Sequence, residues 1–153
     1  MVILGTAEGF VQIDPKVEAA IGIFLTEQEI LLEAGGILIG NYRGPHVVVG
    51  TCTTPLPGDC RRNNLFDRRD AGHQAAALGA WERSEGTDTF VGEWHTHPVD
   101  HPNPSELDLR TWHDLLRRTS ASLVFLIVGR RSLWCGIGHD GCVRRLTTCW
   151  SCT

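Results

Sequence analysis

The stretch that most restricts the fold of this chain is Gly92–Asp108, which joins a strand pattern, a proline-rich loop and a helix start. Phe90–Trp94 has the character of a strand, and successive side chains of a strand point to opposite faces. His95 and His97 are therefore predicted to share one face. Three prolines between His97 and Ser105 exclude a regular element there. Ser105 is then a typical N-cap residue of a following helix.

This arrangement is typical of a metal site built from two elements. Two imidazoles on one face can share a zinc ion at about 2.0–2.1 Å each. Glu106 and Asp108 place carboxylates in the first turn of the predicted helix, where one of them can act as a third ligand. Three protein ligands leave one position for water, which is the arrangement of catalytic zinc sites. Either half of the pattern alone would be an ordinary sequence feature, but the combination favours a metal site.

The pattern His95-x-His97, seven residues, Ser105-x-x-Asp108 resembles the signature of the JAB/JAMM (MPN-plus) zinc metalloproteases. That family also carries a glutamate far upstream, just before a strand, and Glu33 is similar to it because a glycine-rich apolar segment follows. The resemblance implies that His95, His97 and Asp108 bind Zn²⁺. It also implies that Glu33 is the general base and that Ser105 stabilises the oxyanion.

The longer strings Gly92–Pro98 and Gly72–Gln74 resemble one bacterial branch of that family. Its members are stand-alone JAB peptidases encoded beside fused E1/E2-like proteins in anti-phage CBASS operons, where they remove conjugates from a cGAS-like nucleotidyltransferase. The resemblance implies an isopeptidase that cuts after the C-terminus of a ubiquitin-like modifier or of a conjugated protein, whose extended tail binds beside the metal.

Two alternatives stay open within the same resemblance. Some JAB peptidases process sulfur-carrier proteins with a diglycine tail. MPN domains that lack metal ligands act as scaffolds, which is disfavoured here because none of the ligands in the pattern is missing.

The composition is that of one globular domain spanning residues 1–153. The chain is 42% hydrophobic and 21% charged, which suits a single folded domain. A formal net charge of −4 implies no general affinity for nucleic acid or anionic membranes. The sequence contains no apolar run near the length of a membrane span and no secretory signal pattern at its N-terminus. We therefore expect a cytoplasmic protein.

The remaining patterns predict an α/β (α+β) fold with a mixed, largely antiparallel sheet flanked by helices. Residues 37–40 and 46–51 form apolar strand patterns on either side of a turn. Residues 123–128 form a near-continuous apolar run, as expected of a central strand, and Asp140-Gly141 is a hairpin turn signal. The JAB/MPN resemblance implies the same architecture. Helices are predicted to begin at Asp14, Asp70 and Ser105.

Two polar segments allow more than one interpretation. Thr54–Arg69 contains two prolines and four arginines, and it is predicted as a loop or insertion rather than a core element. It is either a solvated surface or a docking edge for an extended peptide, and Arg130–Arg131 is a second candidate wall of such a groove. Glu93 shares a face with the two histidines, so it can fix a histidine, pack against the site, or act as the base itself.

Six cysteines are more than a small cytoplasmic enzyme requires. Cys149 and Cys152 form a C-x-x-C motif near the C-terminus, but nothing follows it that would form the helix of a redox motif. A second metal site that combines this pair with Cys135 or Cys142 is conceivable. The irregular spacing favours reduced thiols without a structural role.

Overall fold

The computed structural model describes residues 1–151, with side chains through residue 147. The α-helices are α1 (Pro15–Gly22), α2 (Gly72–Arg83) and α3 (Glu106–Leu116), and Ile23–Leu25 and Glu29–Leu31 are single turns of 3₁₀ helix. The strands are β1 (Val2–Thr6), β2 (Gly9–Ile13), β3 (Gly35–Arg43), β4 (His46–Cys52), β5 (Cys60–Arg62), β6 (Leu65–Asp67), β7 (Thr89–Thr96), β8 (Leu123–Val128), β9 (Leu133–His139), β10 (Cys142–Arg145) and β11 (Thr147–Ser151).

Nine of these strands form one sheet in the order β10-β9-β8-β7-β3-β4-β2-β1-β11, and β5 and β6 form a separate hairpin. Within the described residues, neighbouring strands of the large sheet are antiparallel except for β2–β4 and β7–β8, which are parallel. The predicted α+β fold with a mixed, largely antiparallel sheet is therefore confirmed. No helix in the described part of the chain has the length and apolar character needed to cross a bilayer.

Strand β7 lies near the centre of the sheet, between the central strand β3 and β8. Gly92 permits this close packing, because a Cβ atom there would lie 1.8 Å from the carbonyl oxygen of Val124 on β8. Its φ of +150° is also a backbone conformation that side chains disfavour. The register pairs His95 of β7 with Gly35 of β3, so the residues just before β3 lie beside the end of β7.

Aromatic stacking holds α3 against the sheet. The Trp112 ring of α3 stacks on Phe125 of β8 and Trp134 of β9, with centroid distances of 4.5 and 5.4 Å. In the sequence, Leu109, Trp112 and Leu116 recur at i, i+3 and i+7, which predicts one shared buried face. Trp112 and Leu116 are buried, whereas Leu109 is 39% exposed. The hydrophobic face of α3 is thus narrower than its sequence pattern indicates.

The other predicted helix starts are confirmed at α1 and corrected at α2. The Asp14 side chain accepts a hydrogen bond from the Lys16 amide and caps α1. Helix α2 begins at Gly72 with Ala71 at the N-cap position, although the Asp70 carboxylate still accepts a hydrogen bond from the Gly72 amide. Asp70 therefore contributes to the turn before the helix rather than to the cap itself.

The prediction that Thr54–Arg69 is a loop is only partly right, because the segment contains the β5–β6 hairpin. The hairpin is stabilised by the Asp59 carboxylate, whose side chain is 1% exposed. It accepts hydrogen bonds from the amides of Leu56, Arg69 and Asp70 at 2.8 to 2.9 Å. These contacts join both ends of the hairpin, and no local apolar pattern predicts them.

A buried histidine connects this hairpin to the large sheet. The Nε2 atom of His73 lies 2.8 Å from Asp59 Oδ2, and its Nδ1 atom lies 2.6 Å from Thr53 Oγ1. Because an ionised carboxylate can only accept, His73 Nε2–H donates to Asp59, and the Nδ1 atom of a neutral imidazole then accepts the Thr53 hydroxyl proton. His73 is thus a hydrogen-bonding residue that joins Asp59 and Thr53.

Candidate metal centre

The end of β7 places its two histidines on one face of the sheet and the intervening threonine on the other. The buried Thr96 hydroxyl accepts a hydrogen bond from the Ala34 amide at 2.9 Å, and the Thr96 amide donates to the Ala34 carbonyl at 2.8 Å. Thr96 therefore fixes the segment that precedes β3 beside β7. This contact brings Glu33 to the histidine pair, although Glu33 precedes His95 by 62 positions in the sequence.

The predicted ligands converge at this point. The Nε2 atoms of His95 and His97 lie 3.0 Å apart. Asp108 Oδ1 lies 3.3 Å from His95 Nε2, and Asp108 Oδ2 lies 3.3 Å from His97 Nε2. The carboxylate of α3 thus faces both imidazoles of β7 at nearly equal distances.

These separations fit a tetrahedral zinc ion. Donor atoms at about 2.0–2.1 Å from such an ion lie roughly 3.3 Å from one another. Glu33 Oε1 is more distant, at 3.7 Å from His97 Nε2. Glu33, His95 and His97 nevertheless form a group whose donor atoms all lie within 4.8 Å of one another. Either carboxylate can therefore complete a three-residue metal site, and the spacing of Asp108 matches the zinc geometry more closely.

The β5–β6 hairpin holds Glu33 mainly through main-chain contacts. The Glu33 amide donates to the Arg62 carbonyl at 2.7 Å, and the Phe66 amide donates to the Glu33 carboxylate. Arg61 Nε donates to the Glu33 carbonyl at 3.1 Å. The sequence leaves a docking role for this segment open, but it does not predict that the segment positions Glu33, because most of these contacts use main-chain groups rather than a recognisable side-chain motif.

Burial and neighbouring groups shift the pKa values of the two carboxylates in opposite directions. Burial raises the pKa of Glu33, and charge interactions with His95 and His97 offset this only in part. Burial acts in the same direction on Asp108, but hydrogen bonds from His95 and His97 outweigh it and hold the pKa of Asp108 below its usual range. The site thus favours the anionic form of Asp108 more strongly than that of Glu33.

Ser105 forms a capping box with Asp108 at the start of α3. Its hydroxyl oxygen accepts the Asp108 amide at 3.1 Å, and the Asp108 carboxylate accepts the Ser105 amide at 2.8 Å. Because the hydroxyl takes part in the cap as an acceptor, its own proton stays available for donation to another group. The cap also fixes the carboxylate that faces the two histidines.

Glu93 does not contact either histidine, although it lies on the same strand face. Its Oε1 atom accepts a hydrogen bond from the Trp112 indole at 2.9 Å, and its Oε2 atom pairs with Arg68 Nη1 at 2.8 Å. Trp112 lies one helical turn after Asp108, and this i, i+4 spacing is the sequence signal that indicates a shared face. No comparable signal identifies Arg68, which follows the hairpin.

A cleft of about 460 Å³ surrounds these groups. The hairpin forms one wall and α3 forms the opposite wall. Arg130 and Arg131 do not line this cleft, because Arg130 donates to the Pro98 carbonyl and Arg131 pairs with Asp100. The cleft is lined by Glu33, Asn64, Leu65, Phe66, Asp67, Arg68, Glu93, His95, His97, Ser105, Leu107, Asp108, Thr111 and Trp112.

The sequence profile of prokaryotic homologs of the JAB domain matches residues 25–140, which include the whole candidate centre. The chain belongs to this JAB family. Its curated relatives include proteins named CD-NTase/cGAS isopeptidase from Pseudomonas aeruginosa (45% identical), Vibrio cholerae (44%) and Escherichia coli (38%). Each match spans 104 residues, which is 67–68% of this chain and 66% of the relative.

A solved structure has a similar fold. Protein DSY2949 from Desulfitobacterium hafniense superposes with a TM-score of 0.59 over 88% of each chain, at 19% sequence identity. At this level of identity the likeness concerns the fold alone.

The cysteines of this JAB chain do not add a described metal site. Cys52, Cys60, Cys135 and Cys142 are free thiols, with Cys135 buried and Cys142 exposed. The second metal site that the sequence makes conceivable depends on Cys149 and Cys152, whose side chains lie outside the described residues.

Proposed function

We propose that this JAB chain is a zinc-dependent isopeptidase that releases a protein conjugated through its C-terminus. The observation that carries the proposal is the convergence of His95, His97 and Asp108 at ligand spacing, with the Glu33 carboxylate beside them. The names of three relatives support the same reaction class.

In this proposal the two histidines and Asp108 hold the zinc ion, and Glu33 is the general base. When bound, zinc supplies a water ligand whose pKa is lowered to about 7 and a Lewis acid for the scissile carbonyl. The raised pKa of Glu33 suits it to accept a proton from water and to deliver it to the leaving amine. The Ser105 hydroxyl proton, which the cap leaves available, is directed to the developing oxyanion.

We propose that the substrate is a conjugate of a cGAS-like nucleotidyltransferase, formed by an E1/E2-like system in anti-phage defence. The relatives named CD-NTase/cGAS isopeptidase support this choice. The tail of such a conjugate is extended, and extended peptides bind by adding a strand beside an existing one. Strand β6 lines the cleft through Leu65–Asp67, so it is the proposed partner of the tail.

The test uses the purified chain and a conjugate of a cGAS-like nucleotidyltransferase. We expect release of the conjugated protein with zinc, loss of release with a chelator, and recovery when zinc is restored. Mass spectrometry of the products should place the cut directly after the conjugated C-terminus. A zinc-loaded protein that leaves the conjugate intact would reject the proposed substrate, and release that is insensitive to the chelator would reject the proposed chemistry.

A further inference from the structure

Three side chains meet beside the candidate centre, namely Glu93 of β7, Trp112 of α3 and Arg68, which follows the hairpin. Glu93 of β7 is 8% exposed and uses both carboxylate oxygens, one for the Trp112 indole and one for Arg68. Arg68 also lies over the Phe66 ring, with its guanidinium carbon 5.5 Å from the centroid. We call Arg68, Glu93 and Trp112 the Glu93 brace.

The Glu93 brace connects the two elements that carry the metal ligands. Glu93 precedes His95 by two residues on β7, so their side chains lie on the same face. Trp112 follows Asp108 by four residues on α3, so it lies one turn farther along the same helix face. The hydrogen bond from Trp112 to Glu93 is therefore a direct link between the strand that carries the histidines and the helix that carries the carboxylate.

Apart from the contacts of Asp108 with the two histidines, the contacts between α3 and the sheet leave a degree of freedom that this bond removes. The stack of Trp112 on Phe125 and Trp134 is apolar, and apolar packing is non-directional. The capping box fixes Asp108 to the start of α3 but does not connect it to β7. A hydrogen bond has strict length and angle requirements, so the Glu93–Trp112 bond sets the position of α3 along β7.

We propose that Glu93 is a positioning residue that sets the distance between Asp108 and the histidine pair. Glu93 acts through the Trp112 indole, and Arg68 orients and balances its carboxylate. This inference rests on the proposed function, because it assigns the spacing of Asp108 to zinc binding. It also explains why Glu93 is unsuited to be the base, since both of its oxygens are occupied.

The test compares Trp112→Phe and Glu93→Gln with the native chain. Trp112→Phe keeps an aromatic ring for the stack and removes the indole donor together with part of the buried ring. Glu93→Gln keeps the shape but has one acceptor oxygen, so it cannot accept from both the Trp112 indole and Arg68. Trp81→Phe is the matched control, because Trp81 is 49% exposed on α2 and lies outside the cleft. Zinc affinity is measured by competition with a chelator, and site geometry by the visible absorption of the Co²⁺-substituted protein.

We expect both brace variants to bind zinc about tenfold more weakly, within the range for residues that orient metal ligands. The Co²⁺ band should shift in both, whereas Trp81→Phe should match the native chain. The double variant should lose little more than either single variant, since both act through one bond. Circular dichroism and thermal unfolding show which variants are folded. Zinc affinity and the Co²⁺ band are compared only among those variants.

The proposed role of the Glu93 brace would be overturned if folded Trp112→Phe and Glu93→Gln kept native zinc affinity and an unchanged Co²⁺ spectrum. That result would leave the proposed function intact. A native chain that binds zinc but releases no conjugate would instead reject the proposed function, and the affinity ratios would still decide the brace. Additive losses in the double variant would show that the two residues act separately.

Discussion

At the scale of single residues, the two carboxylates of the centre differ in how they are held. Asp108 is fixed by the capping box and faces both imidazoles at 3.3 Å. Glu33 is 3.7 Å from His97, and hydrogen bonds from the hairpin fix its backbone and its carboxylate. This difference supports the assignment of Asp108 as a ligand and of Glu33 as the base.

Exchange of each carboxylate for its amide separates these roles. We expect Glu33→Gln to retain zinc and to lose roughly 10²–10⁴ in the rate of conjugate release, because only proton transfer is removed. Asp108→Asn should weaken zinc binding itself. The measurements are zinc content after dialysis and release rate at saturating zinc. If Glu33→Gln loses zinc while Asp108→Asn keeps it, the ligand set is Glu33, His95 and His97.

The acid stability of the protein depends on Asp59. Its carboxylate is buried, which by itself raises its pKa, but hydrogen bonds from three amides and His73 outweigh burial and lower it. A lowered folded-state pKa stabilises the protein above the unfolded value of about 3.9, and this contribution is lost as the pH falls through the folded-state pKa.

We expect Asp59→Asn to lower the free energy of unfolding at pH 7 by about 1–3 kcal/mol, because buried donors lose a charged acceptor. The loss should shrink as the pH falls below about 4. Urea unfolding at several pH values measures both effects. The control is Asp100→Asn, which removes an exposed ion pair and should cost at most about 1 kcal/mol. Equal costs for Asp59→Asn at pH 7 and in acid would contradict the assignment.

At the scale of elements, the β5–β6 hairpin determines where Glu33 lies. Arg61 of β5 contributes its side chain, which donates to the carbonyls of Glu29, Leu32 and Glu33 at 3.1 to 3.2 Å. It also pairs with the Glu29 carboxylate at 3.0 Å. Arg61 thus fixes the segment that leads into β3, and its neighbour Arg62 is exposed.

Arg61→Gln is expected to lower kcat/KM for conjugate release by roughly tenfold to 100-fold, because small displacements of a catalytic group have effects of this size. Zinc affinity should stay at the native value, since no ligand contacts Arg61. Arg62→Gln is the matched control and should leave both quantities unchanged. A loss of zinc affinity equal to the loss of activity in Arg61→Gln would show that the hairpin supports the metal site rather than Glu33.

The elements differ in how far the sequence predicts them. The histidine pair, the loop and α3 are contiguous, so their spacing alone predicts the core of the site. Strands 37–40, 46–51 and 123–128 were found because each carries a local apolar pattern. The sequence predicts a loop in place of the hairpin because each of its strands has only three residues and β5 contains two arginines. The hairpin is stabilised by Asp59 and His73. Asp59 belongs to no apolar pattern, and His73 lies on α2, outside the hairpin.

At the scale of the whole molecule, the sheet joins the two ends of the described chain. Strand β1 pairs with β11 at one edge, and β2 pairs in parallel with β4. Neither pairing was predicted, because both depend on contacts between residues far apart in the sequence. The sheet also buries Cys135 of β9 fully, whereas Cys142 of β10 is exposed.

Thiol reactivity reports on the integrity of this sheet. Burial raises the pKa of Cys135 to about 12 and that of Cys52 to about 11, which favours the unreactive thiol form. We expect an alkylating reagent at pH 7.5 to modify Cys142 in the folded protein and to reach Cys135 only on unfolding. Mass spectrometry of the peptides that contain each residue measures the two rates. Equal rates at Cys135 and Cys142 in native buffer would contradict the described packing.

The contacts between the hairpin and Glu33 have a consequence for how such enzymes diverge. The Arg62 carbonyl and the Phe66 amide belong to the main chain, so substitutions at these two positions do not remove the groups that hold Glu33. The same two-stranded segment lines the cleft with its side chains. Under the proposed function, natural variation can change which protein tail is accepted while Glu33 keeps its position, so tail preference and chemistry can evolve separately within one short stretch of the chain.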